Sequence, residues 1–356
     1  MLDVSYNGSY ASSPQTKNLS YLPAQYWNFG DQLNSAVDSA MKATVANPFL
    51  YTNFASLANT NLPLYNYLSS LSFFTGKTLA VQQLLRAYPN AGFGLSEYGG
   101  FRNKTMYNDL EILYSKRFSK GIQSSLMYTR TWSRNQWQEN QFDQSLEWQP
   151  NANARPSRFV WTAVWELPFG KGRQWVQTGP MQHVLGGWQL SWIYQFQTGP
   201  LISFGNVYYY GSQDQLVAAL NHDQFHSKYI HYWYDPAADY NNLINPNASG
   251  SGAVPAGFAG FEGRTAFQPG TYQARLMPQY IDALRADVIN NWDIRIFRKF
   301  NLYERLNMSF AVDLLNGANR VQLAAPTVTP SSTLFGQSTS QANGPRQIQF
   351  NLRVDF

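Results

Sequence analysis

The last eleven residues of the chain, RQIQFNLRVDF, alternate between apolar and polar side chains without a break. Ile348, Phe350, Leu352, Val354 and Phe356 share one parity, and Gln347, Gln349, Asn351, Arg353 and Asp355 share the other. Successive side chains of a strand point to opposite faces, so this segment reads as a strand with one apolar and one polar side. The pattern recurs along the chain. WQLSWIYQFQT sets Trp188, Leu190, Trp192, Tyr194 and Phe196 on one face, with Ile193 the apolar exception opposite. RFVWTAVWELPF aligns Phe159, Trp161, Ala163, Trp165 and Leu167, and RLNMSFAVDLL sets Leu306, Met308, Phe310, Val312 and Leu314 against Asn307, Ser309 and Asp313. NNWDIRIFRKF places Trp292, Ile294 and Ile296 opposite Asp293 and Arg295, and weaker versions lie at 107–118, at 121–132 and in LDVSYNGSY near the start. The sum is about eight strands, many longer than the usual five or six residues.

The links between these segments alternate in length. SKG (119–121) and NLYE (301–304) are tight, and GKGR (170–173) opens a somewhat longer connection. Between them lie long stretches at roughly 11–106, 133–156, 199–289 and 316–345. Strands numbered in order therefore place every long link at one end and every short link at the other. A soluble sandwich has no reason to sort its loops in this way, whereas a transmembrane barrel has short turns on one side and long loops on the other. A tilted strand of eleven residues rises by roughly 25 Å, the height of a barrel's apolar band. The fold expected is an all-β, antiparallel up-and-down transmembrane β-barrel segment in the outer membrane, with its apolar face against lipid and its C-terminus on the periplasmic side. Helical periodicity is weak, with short turns expected around 31–46 and 79–87.

Composition supports that expectation. Aromatic residues reach 16% and charged residues only 13%, about half the usual share of roughly 25%. The net charge of +5 is dispersed, with no basic run carrying interleaved aromatics, so no nucleic-acid partner is expected. Cysteine is absent, which excludes disulfides, thiolate metal sites and a cysteine nucleophile. No apolar run approaches the roughly 18 residues of a membrane helix. MLDVSYNGSY has neither the basic nor the apolar region of a signal peptide, so the export address is expected on sequence outside this chain.

The two faces carry different chemistry. Trp161, Trp165, Trp188, Trp192 and Trp292 lie on the apolar parity, where large amphipathic rings suit an interfacial girdle. Asp293, Arg295, Asp313 and Arg353 lie on the other, as cross-strand partners inside a wet lumen. Phe350, Leu352, Val354 and Phe356 close the last apolar face at the periplasmic rim.

Several motifs resemble one family. ELPFGKGR (166–173), LGGWQLSWIYQFQTGPL (185–201), YNDLEILYSKRFSKGIQSSLMYTRTWS (107–133), NNWDIRIFRKF (290–300) and FGQSTSQANGPRQIQFNLRVDF (335–356) are similar to the Oar-like TonB-dependent outer-membrane receptors. The similarity extends to DVSYNGSY, LSYLPAQYW and VANPF near the start. It implies that the chain is the C-terminal part of a receptor barrel, without the plug, signal peptide and N-terminal β-domain of such receptors. It implies a role for Phe350, Leu352, Val354 and Phe356 as a signal to the barrel-assembly machinery. It also implies uptake of an unknown bulky solute, driven by an inner-membrane energy-coupling complex acting on the full-length receptor.

Catalytic patterns are lacking: HExxH, GxSxG, a P-loop and a strand-linked GxGxxG are all absent, and no cofactor or enzymatic activity is expected. GKGR lacks the following Ser/Thr of a phosphate loop and reads as a turn. HDQFHSKYIHYWYD carries His222, His226 and His231; were it helical, His222 and His226 would share a face and could hold Zn²⁺ or Cu²⁺. Against that stands a polar outer loop that merely contains histidine. Glu139, Asp143 and Glu147 lie four apart in WQENQFDQSLEW, compatible with paired catalytic acids but more simply with solvated loop charge. Ligand contacts are expected from loop 205–270. Two other readings stay open at this point: a soluble all-β carbohydrate-binding or carbohydrate-active protein, and a structural or vestigial barrel without transport.

Overall fold

The computed structural model describes residues 1–29, 35–91, 94–143, 145–206, 272–275, 277–303, 306–328 and 337–356, with a few isolated pieces between 208 and 267. Eight strands form one sheet: β1 (Leu2–Asn18), β2 (Ser96–Ser119), β3 (Ile122–Trp137), β4 (Ser157–Glu166), β5 (Trp188–Gln197), β6 (Ile289–Tyr303), β7 (Leu306–Leu315) and β8 (Gln347–Asp355). Each pairs antiparallel with its neighbour in sequence, and a short strand, Glu147–Pro150, adds to the far end of β3. The sheet is open, since β1 and β8 are not paired with each other.

The register carries the alternation across the sheet. One row runs Ile122, Trp165, Leu190, Ile296, Val312 and Phe350 from β3 to β8. The next row, on the other face, runs Gln123, Val164, Ser191, Arg295, Asp313 and Gln349. A slip of one residue in any pairing would mix these faces, so the pattern fixes the register. At the left of the sheet Leu2, Val4 and Tyr6 continue the apolar face against Tyr114, Ile112 and Leu110.

Three strands exceed the sequence expectation. β1 reaches Asn18 and β2 begins at Ser96, so the first long link is 19–95 rather than 11–106. β3 runs to Trp137, which shortens the second to 138–156. The added residues, such as SSPQTKN in β1 and SEYGGFRNKT in β2, show no regular alternation to read. The turn at 119–122 is as tight as expected. Lys120 and Gly121 both have positive φ, the signature of a type I′ hairpin whose twist matches that of its strands. The second tight link joins β6 to β7 after Tyr303. In the long links, α1 (Ser35–Lys42) and the turn Val81–Leu84 fall where weak periodicity pointed. α2 (Leu62–Ser70) was not legible, because LPLYNYLSS is apolar on nearly every side; Asn61 starts it by accepting the Leu64 N–H at 3.1 Å.

The deepest packing lies outside the sheet. Leu22, Leu201, Ile202, Phe204, Ala274, Met277, Ile281, Leu284 and Ala286 are buried, and all belong to the long links. Within the eight strands the buried apolar residues are Phe101, Ala163 and Ala311, while Leu2, Val4, Ile348, Phe350 and Leu352 stand open. Where link 198–288 meets the sheet, Gly199 is required by close approach: a Cβ there would collide with the Ala286 carbonyl. Gly199→Ala is expected to cost about 1–3 kcal/mol by overpacking. Hydrogen exchange at the Ala286 amide, now bonded to the Pro200 carbonyl at 2.8 Å, reads the effect directly; unchanged protection would refute it.

Candidate functional site: the polar face and its loop cap

β3 to β8 together line one cleft on the polar face, of about 520 Å³, so this face is concave. Its walls are Gln123, Ser125, Thr162 and Ser191 on one side and Asp293, Arg295, Asp313 and Gln349 on the other. Arg295 and Asp313 face each other across β6 and β7, with Nε 3.6 Å from Oδ1. The second oxygen of Asp313 accepts from Asn351 Nδ2 at 2.8 Å. Arg295 is half exposed, so the pair contributes roughly 0–1 kcal/mol and serves mainly to set side-chain positions. Asp293 accepts the Asn316 N–H at 2.9 Å and so fixes the first bend after β7. Arg353 departs from the expected cross-strand pairing: its Nε donates to Asp355, two residues along the same strand, at 2.7 Å. The cleft thus presents amides, hydroxyls, two carboxylates and one guanidinium beside the apolar Val164, Ile193 and Leu315.

On the opposite face, Trp165 and Trp188 stand near the short-turn ends of β4 and β5, and Trp292 near the long-link end of β6. Trp161 and Trp192, expected in the girdle with the others, stand mid-strand instead. Trp161 donates Nε1 to Ser124 Oγ at 2.9 Å, which satisfies its one polar atom within the apolar face. Its ring packs edge-on against Trp192 at 5.0 Å and against Trp292 at 5.8 Å, and Tyr194 lies 4.5 Å from Trp292. The cations of this face lie towards its ends, with Arg130 and Arg134 at one and Lys116 and Arg298 at the other.

Above the cleft the long links knit into a cap. Asn28 donates its side chain to Gln273 Oε1 at 2.9 Å, and its backbone exchanges hydrogen bonds with Tyr272 and Ala274. Trp27 and Phe29 pack on Phe142 at 5.1 and 5.4 Å, so links 19–95, 138–156 and 198–288 meet at one point. Arg275 holds the joint. Its backbone N–H donates to Asn140 Oδ1 at 2.8 Å, its Nη1 reaches the Phe204 and Gly205 carbonyls, and its Nε lies 3.6 Å from Glu139. Glu139 also accepts from Gln149 Nε2 and from the backbone of Gln279. Its neighbours Asp143 and Glu147 do different work: Asp143 accepts the Asn140 N–H, and Glu147 begins the short strand beside β3. Of the three acids Glu139 alone staples two loops, which sequence spacing could not reveal because Arg275 lies far away in the chain.

Burial pushes the Glu139 carboxyl above the usual glutamate range, with Arg275 opposing the shift and Glu147 and Asp143 reinforcing it. Burial likewise lowers Arg275. A carboxyl whose folded pKa is raised binds its proton more tightly in the joined cap, so the joint weakens as pH rises through the window above 4.5. Proteolytic nicking of loop 138–156 is expected to be slower in mild acid than at neutral pH. Glu139→Gln should remove that dependence; a persisting pH profile in the variant would refute it.

His222 lies outside the described residues, as does most of loop 205–270. Phe225–His226 pairs antiparallel with His231–Tyr232, which sets His226 opposite His231 in a ladder. Residue 226 is thus extended, and the helical spacing considered for His222 and His226 does not apply there. Among the described residues no group of three metal-ligating side chains gathers, and no helix is long and apolar enough to cross a membrane.

The family described as "Outer membrane beta barrel domain" matches residues 1–349. The chain belongs to that family. The apolar face of this barrel domain is accordingly its lipid face, the concave face its lumenal wall, the tight turns periplasmic and the cap extracellular. No curated protein matches the sequence. Among solved structures the barrel domain is similar to the outer membrane transporter YddB from Escherichia coli, at 10% identity and a TM-score of 0.30 over 72% of this chain. It spans 26% of the length of that transporter.

Proposed function

We propose that this domain is barrel wall of an Oar-like TonB-dependent receptor that passes a bulky polar solute across the outer membrane. The observation that carries the reading is a cleft of mixed polar and apolar lining on the concave face, together with a folded, aromatic cap built from the long links. The cap offers exposed rings for capture, including Phe29 and Trp148. The wall below offers amides, hydroxyls and charges of both signs, so a solute meets many weak contacts rather than one tight site. Transport needs no chemistry of the domain's own, so the role is not enzymatic and calls for no cofactor. Energy comes from the inner-membrane complex acting on the whole receptor, and Phe350, Leu352, Val354 and Phe356 serve as the signal to the barrel-assembly machinery.

The test is growth of a strain lacking this gene on separate pools of peptides, glycans and metal chelates. The expected result is loss of one pool, with the same loss in a strain lacking the energy-coupling complex. Loss in the first strain alone would indicate a passive pore. No loss on any pool would indicate a structural barrel.

A further inference from the structure

The periplasmic connection from β4 to β5, residues 167–187, is long enough to fold, and it ends in a short helix, Met181–Leu185. This helix is held from the lipid side of the wall. Arg298 stands on the lipid face, in register with Trp188 and Phe310, and its guanidinium lies 4.4 Å from the Phe300 ring centre. It donates to the Val184 carbonyl at 2.8 Å and to the His183 carbonyl, while Trp188 Nε1 donates to Val184 at 2.9 Å. The last-turn carbonyls of the helix, which have no partners within it, are thereby capped by a cation and an indole of the lipid face. The glycines of the connection serve the same tight seat. Gly170 has φ of 101°, and a Cβ on it would lie 2.7 Å from Gly186 Cα.

A connection fixed this firmly still leaves its apolar side chains uncovered. Met181, Val184 and Leu185 occupy i, i+3 and i+4, one face of the helix, and are 52%, 60% and 36% exposed. We propose that this connection is a foot seated in the headgroup region of the periplasmic leaflet, with Met181, Val184 and Leu185 turned towards the acyl chains. Phospholipid is the occupant because the foot is continuous, through Arg298 and Trp188, with the surface that already meets lipid. Its charge agrees. Lys171 is exposed in the same connection, and Lys120 is exposed in the neighbouring turn, where Gly121 accepts the Glu166 N–H. Both place ammonium groups where phosphates lie. An apolar helix face with cations beside it is the arrangement of an interfacial anchor.

The chain has no cysteine, so single labels are unambiguous. Nitroxides at Met181→Cys and Val184→Cys, in the whole chain refolded into phosphatidylethanolamine–phosphatidylglycerol vesicles, report accessibility to oxygen and to a water-soluble nickel chelate. Leu352→Cys and Asn351→Cys supply the lipid and lumen references. The expected oxygen-to-nickel ratio at 181 and 184 is several-fold above that at 351 and close to that at 352. A ratio at both positions equal to that at 351 would overturn the proposal. Arg298→Ala tests the tether and should lower the ratio at 184 towards the lumen value; an undiminished ratio would remove Arg298 from the account.

Discussion

Replacing Ile296 by arginine is expected to abolish the folded barrel. Ile296 is the midpoint of β6, flanked on the lipid face by Leu190 and Val312. A guanidinium costs roughly 2–4 kcal/mol at the bilayer midplane and less as it nears the headgroup layer, from which Ile296 is separated by one step of the strand at Arg298. Stabilities of whole domains are only about 5–15 kcal/mol, so the loss is a large share of what is available. The same substitution at Phe297, one residue along, should be tolerated, because that side chain lies on the lumenal wall beside Arg295. Heat-modifiable migration of the two variants from outer-membrane fractions separates the cases. Equal survival of both would mean that the assigned lipid face does not meet lipid.

Arg275→Ala should have the second largest effect, and a local one. Arg275 and Glu139 are 15% and 13% exposed at their side chains, so removing the cation leaves a carboxylate largely out of water without its partner. Breaking such a pair costs about 3–5 kcal/mol, and the lower end applies because both groups keep some solvent contact. The carbonyls of Phe204 and Gly205 and the joint with loop 138–156 are lost together. Hydrogen exchange should rise sharply through 138–156 and 272–281, while the sheet keeps its heat-modifiability. Arg275→Ala with Glu139→Gln should recover part of the protection, because no uncompensated charge remains. A barrel that fails to assemble in the single variant would show instead that the cap is needed for insertion.

The sequence made the wall legible and the cap illegible, for a physical reason. A strand between lipid and a wet lumen must alternate, so Trp188 to Phe196 and Ile348 to Phe356 declare both their faces and their register. The order of long and short links follows from counting such segments. The extensions at Asn18 and Ser96 escaped because strand rising above the bilayer has water on both sides and no alternation to show. The cap escaped because its contacts are remote: Asn28 meets Gln273, and Glu139 meets Arg275. No periodicity announces a pair of that kind. Of the residues singled out for charge, Arg295 and Asp313 were readable as opposite numbers, because β6 and β7 join through a tight turn. Arg353 was not, because Asp355 competes from two residues away.

The cap has a bearing on how the domain comes to exist. Its interior draws on three links that lie between different pairs of strands, so it cannot close until each has reached the cell exterior. Those links start on the periplasmic side and must traverse the bilayer with their strands. A globule assembled beforehand would be too wide to follow. The chain must therefore carry Leu22, Ile281 and Leu284 across as loose, oily thread and condense them only on arrival. Closing loops of that length is slow. Maturation then has two clocks, with the wall set first and the exterior last, and newly inserted molecules pass through an interval in which the cleft stands uncovered.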